Sequence, residues 1–249
     1  MDVNKESLKL HKEHKGKLAT KSKVKVETKS DLSLVYTPGV AEVCKEIAAN
    51  PKAIFDYTMK ANSVAVVTDG SAVLGLGNIG AEASLPVMEG KSILFKELAN
   101  IDAFPICIKT QKDDEIISIV KNIAPAFGGI NLEDIAAPRC FKIEDALQNI
   151  GIPVMHDDQH GTAVVVLAAL INAAKVVGKK IEDLKIVING AGAAGTAVAK
   201  ILLCVGVDKK ICTSVKEIVL CDSNGIIYDG RGDLNEFKKE MAKITNGSK

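Results

Sequence analysis

The stretch "LKIVINGAGAAGTAVAKILL" constrains the fold of this chain more than any other. An apolar, β-branched run enters Gly190-Ala191-Gly192-Ala193-Ala194-Gly195, and helix-spaced apolar residues follow at once. A G-x-G-x-x-G pattern has weight when it leaves a strand and opens a helix, as it does here. Gly190 permits the tight turn, Gly192 lets backbone approach a pyrophosphate on the helix N-terminus, and Gly195 lets helix and strand pack closely. The next apolar run, "KEIVLCD", ends on Asp222, whose carboxylate is placed to accept hydrogen bonds from an adenosine ribose. No Arg follows Asp222 until Arg231, which favours NAD over a 2′-phosphorylated coenzyme. The gap from Gly195 to Asp222 is longer than usual because "DKKICTS" lengthens the turn. The alternative is a glycine turn between packed elements that holds no ligand.

The same alternation of strand and helix runs through the chain. "SVAVVTDG" and "LKIVING" read as buried strands, and "AFPICIKT", "IPVMHDD" and "KEIVLCD" as strands. "LGLGNIGAEA" reads as a glycine-dense loop leading into a short helix. Residues 40–49 have helical spacing, "DDEIISIVKNIAPAF" is an amphipathic helix stopped by proline, and "EDALQNIG" is a helix ending on Gly151. "GTAVVVLAALINAAKVVG" reads as a long buried helix and "GGINLEDI" as a loop. Residues 1–30 read as a polar helix followed by a Lys-rich strand or loop. Alternating strands and helices imply parallel α/β units. The fold expected is α/β: a mixed α/β domain over residues 1–160, then the first part of a Rossmann-type parallel sheet over 161–249. "KEIVLCD" would lie near an exposed edge of that sheet.

With no Trp and 4% aromatics in 249 residues, the core must be built from Ala, Val, Ile and Leu. A net charge of +1 argues against a dedicated nucleic-acid binder or a binder of acidic membranes. Residues 1–30 carry nine Lys against four acids, which reads as a solvated arm. The six cysteines, at 44, 107, 140, 204, 212 and 221, show neither C-x-x-C pairing nor zinc spacing with His. They read as buried free thiols of a reducing compartment. The N-terminus lacks an apolar signal region and no membrane-spanning run is apparent, so the cytoplasm is expected.

Two sets of residues could carry chemistry. Glu133 and Asp134 in "GGINLEDI", with Asp157 and Asp158 at the end of "IPVMHDD", fall at one edge of a parallel unit, where ligands bind. Carboxylates gathered there repel one another without a cation, and hard oxygen ligands select Mg²⁺ or Mn²⁺. Helix N-capping by Asp157 or Asp158 is the plain alternative. His156 and His160 would suit zinc or iron, but their placement about a strand-to-helix turn favours supporting or packing roles. Tyr36 in "VYTPGV" and Lys91 in "EGKSILF" are usable acid–base groups only if burial or charge shifts them.

Four strings, "DLSLVYTPGVAEVCKEIA", "VVTDGSAVLGLGNIGAEASLPVMEGKSILFKELANIDAFPICI", "GGINLEDIAAPRCFKIE" and "HDDQHGTAVVVLAALINA", together resemble the malic enzymes in their compact bacterial-type form. The resemblance extends over about residues 8–244. It implies oxidation of (S)-malate at C2 with NAD, or alternatively NADP, then decarboxylation of oxaloacetate to pyruvate and CO2. It implies Lys91 as the base for the C2 hydroxyl and Tyr36 as the acid that protonates C3 of enolpyruvate. It implies Glu133, Asp134 and Asp158 as ligands of Mg²⁺ or Mn²⁺, with Asp157 beside them. The small-molecule partners implied are malate and pyruvate, in a homodimer, with no nucleic acid and no membrane.

The chain departs from the family in three places. Ser71-Ala72 stands where larger malic enzymes have an Arg, and "PICIK", with Lys109, reverses the charge of the usual "PICID". The family also continues beyond residue 249, so the chain reads as truncated, with only the first half of the dinucleotide unit. Such a chain is expected to bind a cation and the adenosine half of NAD, yet turn over malate slowly. A malolactic enzyme of the same family and a non-catalytic dinucleotide-binding remnant are the rival readings.

Overall fold

The computed structural model describes residues 2–208 and 210–247. The chain divides into two compact units, Met1–Asn131 with Leu147–Val154 and Leu132–Ala146 with Met155–Lys249.

The first unit opens with helices α1 (Val3–His14), α2 (Lys29–Val35) and α3 (Val40–Ala49). Asp2 caps α1 by accepting from the N–H groups of Asn4 and Lys5, and Thr28 with Asp31 forms a reciprocal capping box on α2. None of these three helices has a buried residue. A short α4 (Ile54–Tyr57) leads to β1 (Ser63–Thr68), whose Val66 and Val67 lie in the core. β1 pairs in parallel with β2 (Asp102–Cys107), Ser63 opposite Asp102. Between them runs α5 (Gly80–Ala99), which packs on both strands and buries Ala81, Ser84, Met88 and Ser92. It is a 20-residue helix where a short one was expected. Pro86 lies inside it, and a proline removes one helix hydrogen bond without ending a helix held by packing on both sides of it. α6 (Asp113–Ile123) follows as expected, buries Ile116 and Val120, and gives way to a 3-10 turn at Ala124–Ala126.

The run read as a loop is instead β3 (Gly129–Leu132), buried along its whole length. Four apolar residues between a glycine pair and two acids are too few to show a period. α7 (Arg139–Leu147) ends four residues before Gly151, which stands at φ +85° in the turn beyond. With β4 (Val154–His156) the sheet has the order β2-β1-β3-β4.

The second unit continues with α8 (Asp157–Val176), β5 (Lys185–Asn189), α9 (Ala193–Leu202) and β6 (Glu217–Asp222). β5 and β6 pair in parallel, Lys185 opposite Glu217, so strand, helix and strand form the expected parallel unit. A two-residue β7 (Gly225–Ile226) adds antiparallel to β6, and α10 (Glu236–Ile244) closes the unit. β6 therefore lies inside the β5-β6-β7 sheet rather than at its edge. Ala199, Leu202, Ile218, Leu220, Ile227 and Met241 form the centre of this core.

Two apolar elements are less buried than their composition suggests. α8 packs along α9 but buries only Gln159, Ala163 and Ala174, and β5 alternates between half-buried and exposed residues. α8 is also, by length and composition alone, apolar enough to cross a membrane, with a mean hydropathy of 1.3, where the sequence reading found no such run. Its first turn is Asp-Asp-Gln-His. The cysteines differ as well. Cys204 and Cys212 form a disulfide with Cα atoms 5.9 Å apart, inside the lengthened connection between α9 and β6. They stand eight positions apart in sequence, a spacing with no motif to announce it.

Candidate functional site

Each set of candidate residues has a definite place in the fold. Glu133 and Asp134 leave the end of β3, and Asp158 lies in the first turn of α8, directly after β4. One carboxylate oxygen from each of these three lies within 4.8 Å of the others. Glu133 and Asp134 are buried and Asp158 is half-buried. The backbone N–H of Asp134 donates to Asp158 Oδ2 at 3.0 Å, which ties the two segments together across 24 residues of sequence. Asp134 holds φ at +53°, a left-handed conformation that Asp tolerates better than most residues and that recurs at functional sites.

Helix capping does not account for these acids. α8 begins at Asp157, its N-cap residue is His156, and no side chain caps it. Asp157 stands outside the three-carboxylate group, its carboxylate folded against Gly161, where a β-carbon would overlap it.

Behind the carboxylates sits Glu144 of α7, a residue the sequence reading missed. It accepts from the backbone N–H of His156 at 3.0 Å and from Gln159 Nε2 at 2.9 Å. His160 Nε2 lies 2.8 Å from it, and this bond holds the imidazole above its ordinary pKa. Nothing in "FKIEDALQ" marks that glutamate as special; only its fold neighbours do. Cys140 on the same helix is buried, and burial followed by the charge of Asp158 pushes its thiol up to about 12. That keeps it a thiol, the less nucleophilic form, at neutral pH.

The glycine loop has the expected form. Gly190 holds φ +129°, which excludes ordinary side chains, and a β-carbon on Gly195 would overlap the Gly190 carbonyl oxygen. Gly192 is the N-cap of α9, with open space where its β-carbon would be and no side chain capping the helix. A cleft of about 310 Å³ lies beside it, lined by Gly190, Gly192, Thr196, Asp222 and Lys238 among others. Ala191 also lines this cleft, while Ala193 and Ala194 open the helix toward its other side.

Asp222 differs from the bare carboxylate expected. Arg231 Nη2 reaches both of its oxygens, at 2.9 and 2.8 Å, and Lys238 Nζ donates at 2.6 Å. Asn224 N–H adds a bond at 2.9 Å. Arg231 first, and Lys238 second, hold this carboxyl far below the usual carboxylate range. A phosphate approaching Asp222 would thus meet two cations together with the carboxylate.

Lys91 and Tyr36, the acid–base candidates of the sequence, lie in the first unit. Lys91 is half-buried on α5, three residues after buried Met88 and seven after buried Ser84, on the same stripe of the helix. Tyr36 is the C-cap residue of α2 and is 68% exposed.

A glycine loop opening a helix and an acid at the next strand end define a dinucleotide-binding type of α/β protein, here with three carboxylates gathered at one corner. The family described as "Malic enzyme, N-terminal domain" matches residues 13–115 and 109–148, and "Malic enzyme, NAD binding domain" matches residues 159–249. The chain belongs to the malic enzymes. It is 56% identical over 248 residues to the bifunctional malic/malolactic enzyme of Bacillus subtilis, covering 99% of this chain and 58% of that one. The NADP-dependent malic enzyme of Haemophilus influenzae is 48% identical, covering 93% of this chain and 30% of that protein. The crystal structure of the NAD-dependent malic enzyme of Thermotoga maritima superposes with a TM-score of 0.90 at 51% identity, covering 97% of this chain and 63% of that chain. The chain thus spans between 30% and 63% of these relatives' lengths.

Proposed function

We propose that this chain carries the cation-binding and coenzyme-binding groups of a malic enzyme that converts (S)-malate to pyruvate and CO2 with reduction of NAD. The observation that carries this reading is the convergence of Glu133, Asp134 and Asp158 oxygens within 4.8 Å at the ends of two strands. Three carboxylates of this kind suit Mg²⁺ or Mn²⁺ in donor chemistry and spacing. Such a cation would supply Lewis acidity, stabilising negative charge that develops on the substrate oxygen at C2.

The remaining steps belong to side chains and backbone. Lys91 takes the proton of the C2 hydroxyl. Tyr36 returns a proton to C3 of enolpyruvate after CO2 has left. The uncapped N–H groups that open α9 receive the pyrophosphate of the coenzyme, with Asp222 at the adenosine ribose. NAD is the coenzyme proposed, and NADP is the alternative that Arg231 and Lys238 keep open.

The exposed apolar residues Leu32, Leu34 and Val35 adjoin Tyr36, and we place a second copy of the chain over this segment, in a homodimer. The proposed setting is the cytoplasm, with no nucleic-acid or membrane partner. A malolactic outcome, lactate in place of pyruvate, is the second reading, favoured by the similarity to the bifunctional Bacillus enzyme.

The test is a titration with Mn²⁺ followed by malate and NAD, with products identified. Mn²⁺ binding with NADH and pyruvate formed in equal amounts supports the proposal. Lactate without net NADH supports the malolactic reading. No Mn²⁺ binding and no conversion of malate overturns both.

A further inference from the structure

We infer that Glu144, Gln159 and His156 form a positioning relay that sets the carboxylate of Asp158 for the cation. The inference rests on the cation reading above. Glu144 is almost fully buried on α7, yet it faces the β4–α8 turn and grips it at three points. It accepts from the backbone N–H of His156 and from Gln159 Nε2, and it lies 2.8 Å from His160 Nε2. A carboxylate that accepts these bonds fixes which end of the Gln159 amide faces it, because only the amide nitrogen can donate.

That orientation determines the next contact. The same Gln159 Nε2 lies 3.1 Å from His156 Nδ1. An amide nitrogen only donates, so Nδ1 accepts, and the ring hydrogen is left on Nε2. His156 is fully buried, and its Nε2 stands 3.0 Å from Asp158 Oδ2. The pair is in reach but out of line for a hydrogen bond. A buried ring N–H left unmade is costly, so the Asp158 carboxylate is drawn toward it. Oδ2 already accepts from the N–H of Asp134, so backbone and imidazole both act on that one oxygen. Supporting groups of this kind orient metal-binding side chains, and their loss typically weakens metal affinity about 10- to 100-fold.

The order of the residues in sequence gives the relay its rigidity. His156, Asp158, Gln159 and His160 all lie within one strand-to-helix turn, so a single buried glutamate sets the whole turn. None of the three relay residues needs to touch substrate.

The test measures Mn²⁺ affinity by calorimetry, with Tm recorded for every variant. His156→Leu keeps bulk and removes the donor, and it should weaken Mn²⁺ binding by about tenfold or more. His156→Gln places an amide nitrogen near the position of Nε2 and should recover most of the loss. Gln159→Met and Glu144→Gln should weaken binding as well, and they decide the question if His156→Leu does not fold. Wild-type affinity in the folded donor-free variants would overturn the inference. So would equal losses in His156→Leu and His156→Gln that follow Tm alone, since those would mark a merely structural residue. Asp158→Asn separates the two readings. If it leaves Mn²⁺ affinity unchanged, the cation reading fails and the relay fails with it. If it removes binding while the relay variants do not, only the relay is wrong.

Discussion

The carboxylate corner and the glycine loop belong to the same unit, but they are built in opposite ways. The corner is built from side chains of separate segments: the end of β3, one face of α7 and the first turn of α8. The loop is built from backbone, in six consecutive residues, with open space at Gly192 where a ligand would approach. The corner should therefore be sensitive to the chemistry of single side chains and tolerant of small changes in volume. The loop should be sensitive to any added atom and tolerant of changes in nearby charge.

The largest expected effect is at the corner. Asp158→Asn keeps the shape of the side chain and removes one of three charges. We expect Mn²⁺ affinity to fall on the order of 100-fold, with Tm little changed. Asp157→Asn, one residue away and outside the group of three, should cost about threefold or less by the same calorimetry. Equal losses in the two variants would mean that the corner acts only through its summed charge.

The next effect is at the loop. Gly195→Ala adds one methyl group where it would overlap the Gly190 carbonyl oxygen. The strand and α9 must separate, which overpacking energies put at about 1–3 kcal/mol, or a Tm lowered by roughly 3–10 °C. NAD affinity should fall by about tenfold or more, with Mn²⁺ affinity unchanged. A fall in both would show that the loop and the corner are one cooperative site.

The same contrast explains what the sequence could tell. A local motif is legible because its parts are adjacent, so β5, the turn at Gly190 and α9 are readable together. The corner was readable only as acids near strand ends. That Glu133, Asp134 and Asp158 meet needs the fold, and Glu144 left no local trace at all. β3 was too short for its period to show. α8 was read as buried because its residues are apolar, but apolar composition cannot reveal which face has something to pack against, and Val176 is 86% exposed. The disulfide and the ion pairs of Asp222 joined residues through irregular chain, where spacing has no rule. Arg231 lies nine residues after Asp222, and only the β6–β7 hairpin turns it back.

The smallest effect expected is the acid dependence of Asp222. Its pKa in the folded protein is lowered, by the Arg231 hydrogen bond first and the Lys238 hydrogen bond second. In the unfolded chain it returns to about 3.9. A folded value below the unfolded one means that the unfolded state binds more protons between the two. The stability contributed by the carboxylate is present above pH ~4 and is lost as pH falls through the folded value. Asp222→Asn should then be less stable than wild type at pH 7, and the two should converge as the solution is taken well below pH 4. Asp233 titrates in the same direction, again through Arg231 first, so Asp233→Asn is the needed control. Asp233 is 47% exposed in its side chain and Asp222 only 6%, so screening by water should make the Asp233→Asn effect the weaker. Urea midpoints measured from pH 7 to pH 2 give the comparison. Because all of these groups lie beyond the glycine loop, Asp222→Asn should leave Mn²⁺ affinity unchanged, and the two binding regions would then respond to charge as separately as their construction implies. A stability gap between wild type and Asp222→Asn that stays constant into acid would mean that the ion pairs with Arg231 and Lys238 do not hold the carboxylate ionised.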